Sequence, residues 1–326
     1  MNKIWGTLLL SEEELDAWSV IAKAETIIIT SHIHPDGDAI GCSLAMLHYC
    51  HSLGKQARVV IDDDIPLQYK FLNKVDEICQ HLDTQKLNAD LLVIVDTNSK
   101  RIGDVGKGCY KYVLNIDHHE TNPRDSDYYI VRGEYSSASE LLFRIFMTEG
   151  CEINVETAQC LYTGLITDTA YFKAMGIKSD TYVIAAELVK LGVDSGYIAS
   201  QLEEKDFDET RLTSLALSEL KKFNAGTVVG VTLDERYDRL ELTDSIIDAI
   251  RYIRGVKVAF LLKHEKSGGY RVRMRSQSMD VSGFAKKNGG GGHTDAAGFL
   301  IEINDGKEAE KEFIKRMNEW LEQYSG

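Results

Sequence analysis

In this sequence of 326 residues, histidine and aspartate recur at short spacing in three places. The first is His32-Ile33-His34-Pro35-Asp36-Gly37-Asp38. The second is Asp96, behind the apolar run 91–95, and the third is Asp117-His118-His119, behind the run 112–116. Imidazole and carboxylate without thiolate form the donor set of a borderline-hard divalent ion such as Mn²⁺. Gly37 allows a tight turn that aims Asp36 and Asp38 into one site. Asp96, delivered by a central strand, is placed to bridge two ions. Two such ions polarise a phosphoryl group and acidify a shared water, which makes hydroxide available as a nucleophile at neutral pH. Other residues of these types read as structural. Asp62, Asp63 and Asp64 are expected to form a turn, and His34 to point away from the cluster. His48, His51, His81 and His264 have no partner motif.

A second constellation lies towards the C-terminus. Gly289-Gly290-Gly291-Gly292-His293 is followed by Ala296-Ala297-Gly298 and preceded by Arg271-Val272-Arg273-Met274-Arg275-Ser276. Consecutive glycines remove side chains and open positive φ, so backbone N–H groups can line an anion-binding nest, to which His293 adds a donor. Alternation along the preceding strand sets Arg271, Arg273 and Arg275 on one face, and guanidinium suits bidentate phosphate contact and stacking on bases.

Both constellations need elements that bring distant segments together. Residues 26–31, 57–61, 91–95 and 112–116 read as strands, with helices expected at 39–53, stopped by Gly54, and at 65–79. This alternation implies an α/β fold with a parallel sheet sandwiched by helices. Side chains just past the carboxyl ends of such strands converge on one crevice, and His32, Asp96 and Asp117 all fall there. Helices follow at 137–149, opened by a capping box Ser137-Ala138-Ser139-Glu140, at 155–165 and at 180–191. Residues 195–223 are polar and mostly helical and read as a connector. The remainder alternates a strand (227–233), a helix (245–253), a hairpin (256–263 and 270–276 around Ser267-Gly268-Gly269), a short helix (281–287), a strand (299–303) and an amphipathic helix (307–323). It is expected to be a smaller α+β domain. The expected divisions are 1–192 for the metal-binding domain, 193–225 for the connector and 226–326 for the second domain.

Composition bounds the partners. Against 37 Lys+Arg stand 51 Asp+Glu, a net charge of −14, which argues against a broad basic face that coats nucleic acid regardless of sequence. It leaves open a small anionic substrate held by metal ions. The 44% hydrophobic content is that of a globular chain, and 3 Pro exclude Pro-rich linkers. Leu8-Leu9-Leu10, followed by Ser-Glu-Glu-Glu, is too short and wrongly flanked for a signal peptide. No apolar stretch reaches the ~18 residues of a membrane span. Cys42, Cys50, Cys79, Cys109, Cys151 and Cys160 include no Cys-x-x-Cys pair and read as buried free thiols of a cytoplasmic protein.

Taken together, the motifs resemble the DHH phosphoesterase family with its C-terminal DHH-associated domain, over roughly residues 20–305. His32-x-x-Pro-Asp36-Gly-Asp38-Ala-x-Gly41 resembles the family's first motif, Asp96 in Val-Asp-Thr its second, and Asp117-His118-His119 the signature that names it. Asp168, in Ile166-Thr-Asp168-Thr, resembles the fourth; composition alone reads it as helix-terminal. The resemblance implies two Mn²⁺ ions, with Mg²⁺ or Co²⁺ as substitutes in vitro. One would be held by His32, Asp36 and Asp96, the other by Asp38, Asp96, His118 and Asp168. It also implies that Asp117 orients the motif and that His119 contacts the scissile phosphate. Arg275, Ser276, Gly290, Gly291, Gly292 and His293 would bind the rest of a nucleotide. No membrane, sensory or cyclase-like segment is read before residue 20, and the chain is short. The resemblance therefore narrows to the stand-alone nano-RNase/pAp-phosphatase group, which hydrolyses RNA fragments a few nucleotides long and 3′-phosphoadenosine-5′-phosphate (pAp). A phosphodiesterase for cyclic di-AMP or its linear product pApA is the alternative, and a nucleotide-binding protein without turnover the remote one. A homodimer is expected by family analogy only.

Overall fold

A computed structural model describes residues 10–80, 87–174, 176–238, 243–292 and 294–324; Leu8, Leu9, His81 and His293 lie outside the described residues. The chain divides into two units, Met1–Glu204 and Lys205–Gly326. The stretch read as one connector is shared between them and ends in a short strand.

In the first unit, Thr26–Thr30 (β1), Gln56–Ile61 (β2), Cys79–Gln80 (β3), Asn88–Val95 (β4), Cys109–Asp117 (β5) and Tyr128–Val131 (β6) pair in the order β3-β2-β1-β4-β5-β6, every neighbouring pair parallel. The chain first winds outward from β1 to β3, then restarts at β4 beside β1 and winds the other way. The switch between β1 and β4 opens a crevice at their carboxyl ends. Alternation splits β1: Ile27 and Ile29 enter the main core with Leu44, Phe143, Phe146 and Leu161, while Ile28 faces the other side with Val60, Leu92 and Ile94. The main core is built by Glu12–Lys23 (α1), Gly37–Ser52 (α2), Ala138–Thr148 (α3), Val155–Asp168 (α4), Ser179–Lys190 (α5) and Ser195–Glu203 (α6). The opposite face is closed by Ile102 and Val105 around the 3₁₀ turn Gly103–Lys107. The expected sandwich is thus asymmetric, thick with helix on one side and thin on the other.

Three local expectations are corrected. Residues 65–79 form no α-helix but two 3₁₀ turns, Leu67–Tyr69 and Val75–Glu77, before β3. The buried side chains there are Ile65, Tyr69, Leu72, Val75 and Ile78, the last four spaced by three. Their spacing of three fits the 3.0-residue turn, not the 3.6-residue one, and Lys74, at φ +65°, interrupts any continuous helix. The capping box at Ser137 forms only one of its two bonds. The Ser137 hydroxyl accepts from the Glu140 N–H at 2.9 Å, whereas the Glu140 carboxylate turns elsewhere. All six cysteines are free, but only Cys42, Cys50 and Cys160 are buried; Cys109, at the amino end of β5, is exposed.

In the second unit, Phe207–Ser218 (α7) and Lys221–Phe223 (β7) precede Val228–Leu233 (β8), Asp244–Arg251 (α8), Val258–His264 (β9), Tyr270–Arg275 (β10), Val281–Lys287 (α9), Gly291–Gly292 (β11), Ala296–Ile301 (β12) and Gly306–Tyr324 (α10). The sheet order is β11-β12-β10-β9-β8-β7, with β8 and β9 parallel and the other pairs antiparallel. Tyr270, Val272 and Met274 pack with Phe284, Phe299 and Phe313, so Arg271, Arg273 and Arg275 share the other face. No helix among the described residues is long and apolar enough to cross a membrane.

Candidate metal centre

Three strand ends and two helix ends build the centre. His32 follows β1, Asp96 follows β4 and His118 follows β5, while Asp36 and Asp38 open α2 and Asp168 closes α4. Asp36 is the N-cap of α2: one carboxylate oxygen accepts from the Asp38 and Ala39 N–H groups, each at 3.0 Å. Its other oxygen lies 3.8 Å from His32 Nε2. Asp96 is held with φ +57°, a left-handed conformation that Asp tolerates better than most residues. There its carboxylate lies between two rings, with Oδ2 3.6 Å from His32 Nε2 and Oδ1 3.4 Å from His118 Nε2. His118 Nε2 is also 3.3 Å from Asp168 Oδ2. Asp38 is fully buried and accepts from the Ala138 and Ser139 N–H groups at 2.6 and 2.9 Å, at the amino end of α3. Its Oδ1 also faces the Cys42 thiol at 3.5 Å, whereas Oδ2 keeps a second lone pair.

The histidine tautomers follow from these contacts. His32 Nδ1 lies 2.9 Å from the Ile33 carbonyl and His118 Nδ1 3.2 Å from the Tyr135 carbonyl. A carbonyl only accepts, so each Nδ1 carries a proton and each Nε2 is the atom turned to the carboxylates, the one that ligates once it has lost its own proton. His119 differs: its Nδ1 donates to Asp117 Oδ1 at 2.7 Å. That oxygen also accepts from the His118 and His119 N–H groups at 2.8 and 3.2 Å, and Oδ2 accepts from Asn122 at 2.6 Å. Asp117 is therefore filled by the loop it shapes.

The donor set fits divalent ions. His32, Asp36 and Asp96 form one group whose ligand atoms lie within 4.8 Å of one another, and Asp38, His118 and Asp168 form another. A third, Asp96 with His118 and His119, relies on a ring whose Nδ1 is already committed to Asp117. The Asp96 Oδ1 and His118 Nε2 atoms are buried without a hydrogen-bond partner. Orphaned buried polar atoms carry a desolvation cost that a shared cation would relieve. The spacings of 3.3–3.8 Å are long for hydrogen bonds but suit neighbouring donors on one ion.

The electrostatics agree. Burial alone would depress His32, but the Asp96 and Asp36 carboxylates outweigh it and raise it to about 9. Burial likewise disfavours protonated His118, yet Asp96, Asp168 and Asp38 raise it to about 11. Asp96 is buried, but the two rings hold it well below the usual carboxylate range. Asp38 rises to about 7 through burial and the charge of Asp96. Asp168 rises through burial and the charge of Asp38. Without a metal the cluster thus holds protons at pH 7.5 that its ligands must lose to bind one. Uptake of Mn²⁺ is expected to release protons, with apparent affinity rising roughly tenfold per pH unit for each proton released, up to about pH 9 for the His32 proton and about pH 11 for that of His118. Calorimetry in two buffers of different ionisation enthalpy checks this; a binding heat independent of buffer contradicts it. The stability the two protonated rings give the metal-free protein is complete below their unfolded pKa of ~6.5 and is lost as pH rises through the raised values.

The structure brings His32, Asp36, Asp38, Asp96, His118 and Asp168 together, with Asp117 and His119 beside them. His34 turns outward onto Asp63 at 2.9 Å, and Asp62 accepts from the Asp104 N–H. His51 bonds the Ala57 carbonyl and His264 bonds Asp238. In the second unit, the glycine run differs from the expected nest. The Gly289 and Gly290 amides bond the carbonyls of Lys286 and Ala285 and close α9, while Gly291 and Gly292 pair as β11 with Gly298 and Ala297. The Ser276 hydroxyl donates to the Lys257 carbonyl and accepts from the Met279 N–H, so it shapes the turn after β10. Arg273 lies between Leu261 and Gly298, and Arg275 between Ala259 and Ala296, so only Arg275 has a small neighbour on both sides.

Several supporting residues escape the sequence reading. Asn122 bridges Asp117 to Asn115, which in turn donates to the Thr97 carbonyl at 2.6 Å and so ties the third motif to the loop of Asp96. A lone Asn inside the apolar run Tyr112-Val-Leu-Asn115-Ile was the available signal. Gly164 carried no signal; with Gly41, which the first motif includes, it lets α2 and α4 approach closely: a Cβ on Gly41 would overlap the Cys160 carbonyl oxygen, and one on Gly164 the Ser139 and Asp38 side chains.

Two family descriptions match the chain: "DHH family, N-terminal domain" over residues 26–165 and "DHHA1 domain" over residues 194–323. The chain is 31% identical over 297 residues to a bifunctional oligoribonuclease and PAP phosphatase, NrnA, of Thermus thermophilus, covering 90% of each chain. It is 23% identical over 323 residues to the cyclic-di-AMP phosphodiesterase PdeA of Listeria monocytogenes, covering 92% of this chain and 48% of that one. A crystal structure of an exopolyphosphatase-related protein from Bacteroides fragilis superposes with a TM-score of 0.89 at 25% identity, covering 98% of this chain and 100% of that one.

Proposed function

We propose, from the premise that the chain belongs to the DHH family and carries a DHHA1 domain, that this phosphoesterase hydrolyses short oligoribonucleotides and pAp. The observation that carries the reading is the buried Asp96 carboxylate set between the Nε2 atoms of His32 and His118. Two Mn²⁺ ions, one on His32, Asp36 and Asp96 and the other on Asp38, Asp96, His118 and Asp168, would polarise the phosphoryl group and acidify water. The remaining roles belong to the chain itself. Asp117 fixes the ring of His119 through Nδ1, and His119 is assigned to the scissile phosphate, where it steadies charge as the 3′-oxygen departs and takes a proton from water to leave as an alcohol. Arg275, with Ser276, Gly290, Gly291, Gly292 and His293, is assigned to the rest of the nucleotide. The chain's 90% coverage of NrnA supports these substrates over others.

The test is a substrate panel of pAp, di- to pentaribonucleotides, cyclic di-AMP and pApA, each with Mn²⁺ and with Mg²⁺. Turnover of pAp and the short RNAs with Mn²⁺ is expected, and phosphate release from pAp separates an enzyme from a nucleotide-binding protein. Preference for cyclic di-AMP, the reading that similarity to PdeA favours, or for pApA would replace the proposal. Arg275→Ala is expected to raise KM about tenfold with kcat little changed, the size of one charge-assisted hydrogen bond. A KM unchanged for every substrate refutes its assignment.

A further inference from the structure

Glu140 is a buried charge outside the centre, 2% exposed, on the first turn of α3. Its Oε1 accepts from Arg144 at 2.8 Å, and Arg144 is itself 4% exposed. Its Oε2 accepts from the Thr181 hydroxyl at 2.8 Å and from the Ser136 N–H at 3.3 Å. A buried ion pair is no source of net stability by itself, so its placement calls for a reason. The Ser136 N–H belongs to the same peptide unit as the Tyr135 carbonyl, and that carbonyl accepts from His118 Nδ1. The Arg144 guanidinium lies 4.6 Å over the Tyr135 ring, so the residue is gripped at its side chain and at its following peptide.

We propose that Glu140 is a positioning residue for the metal centre, acting through the 135–136 peptide to hold His118 with Nε2 towards Asp96 and Asp168. A carboxylate that accepts from a peptide N–H fixes that peptide's plane and strengthens its carbonyl as an acceptor. The carbonyl in turn fixes the tautomer and orientation of the ring, as partners behind metal-bound histidines do. This accounts for the half-formed capping box: the carboxylate serves Ser136, Thr181 and Arg144 in place of the Ser137 N–H. The inference rests on the reading of His118 as a metal ligand.

The experiment measures Mn²⁺ affinity of the full chain by electron paramagnetic resonance, with melting temperatures of the metal-free proteins in parallel. Wild type against His118→Ala tests the ligand reading; equal affinity for the two refutes that reading. Glu140→Gln tests the relay. It is expected to weaken Mn²⁺ binding about tenfold, the low end for partners behind ligands, and to shift the ¹⁵N and ¹H signals of the His118 Nδ1–H in labelled protein. Asp180→Asn touches the same Arg144 but not the peptide, and is expected to leave affinity within about twofold. Affinity and His118 signals unchanged in a folded Glu140→Gln overturn the proposal, as does an equal loss in Asp180→Asn. Should Glu140→Gln fail to fold, Thr181→Val frees Oε2 from one anchor and keeps the ion pair. It is expected to weaken binding in the same direction by a smaller factor, and unchanged affinity there overturns the proposal.

Discussion

Asp96→Asn is expected to lower hydrolysis by more than ~100-fold, beyond the loss typical of residues that only support ligands, while the far-ultraviolet circular dichroism stays that of the wild type. Asn keeps the volume of the side chain and, like Asp, tolerates the left-handed backbone that position 96 requires. What it removes is the second carboxylate oxygen. One of the two atoms that face His32 and His118 becomes an amide NH₂, which donates and does not ligate, so one donor group loses the member that both share. It also removes a full charge, because Asp96 stays ionised throughout the working pH range. The His32 and His118 pKa values should then fall towards 6.5, which nuclear magnetic resonance titration reads independently of activity. Turnover retained with Mn²⁺ would sink the assignment of Asp96, and with it the proposed centre.

Gly164→Ala is expected to damage both the packing and the metal centre of the first unit. The added methyl meets the Ser139 hydroxyl and the Asp38 carboxylate and stands 3.0 Å from the Asp38 Cα. Neither neighbour has room to yield, since Asp38 is clamped by the Ala138 and Ser139 N–H groups and α2 packs directly on α4. Overpacking of this kind costs about 1–3 kcal/mol, a fall of roughly 2–12 °C in melting temperature for a unit of this size. Because α2 carries Asp36 and Asp38 while α4 carries Asp168, the same shift should weaken Mn²⁺ binding. A variant with unchanged melting temperature and affinity would show that the helices have slack the structure does not display.

These two residues differ in how far the sequence reveals them. Asp96 is legible: an apolar run ending in a carboxylate, beside two other such runs ending in histidine and aspartate, points to one crevice of a parallel sheet. Asp168 is less so, since a carboxylate at a helix end is commonplace, and only its resemblance to a known motif marks it. Gly164 is not legible at all, because a glycine within a helix carries no mark of what would occupy its missing side chain. The 65–79 segment shows a related limit: an apolar spacing of three over a short stretch reads as helix until the 3₁₀ turns are seen.

By itself, then, the sequence determined the inner strands of both sheets, most of the helices beside them and the delivery of histidine and aspartate to strand ends, but not α1 or the edge strands β3, β6, β7 and β11, because period, turn chemistry and side-chain chemistry are local properties of the chain and short edge strands carry little of them. Only the tertiary structure decided which nitrogen of each ring faces the carboxylates, that Asp117 is filled by its own loop, that the glycine run closes α9 and adds a strand, and that Glu140 leaves its helix cap for the 135–136 peptide. Each of these depends on which hydrogen-bond partner or close neighbour wins between groups far apart in the chain, and that competition exists only once the chain is packed.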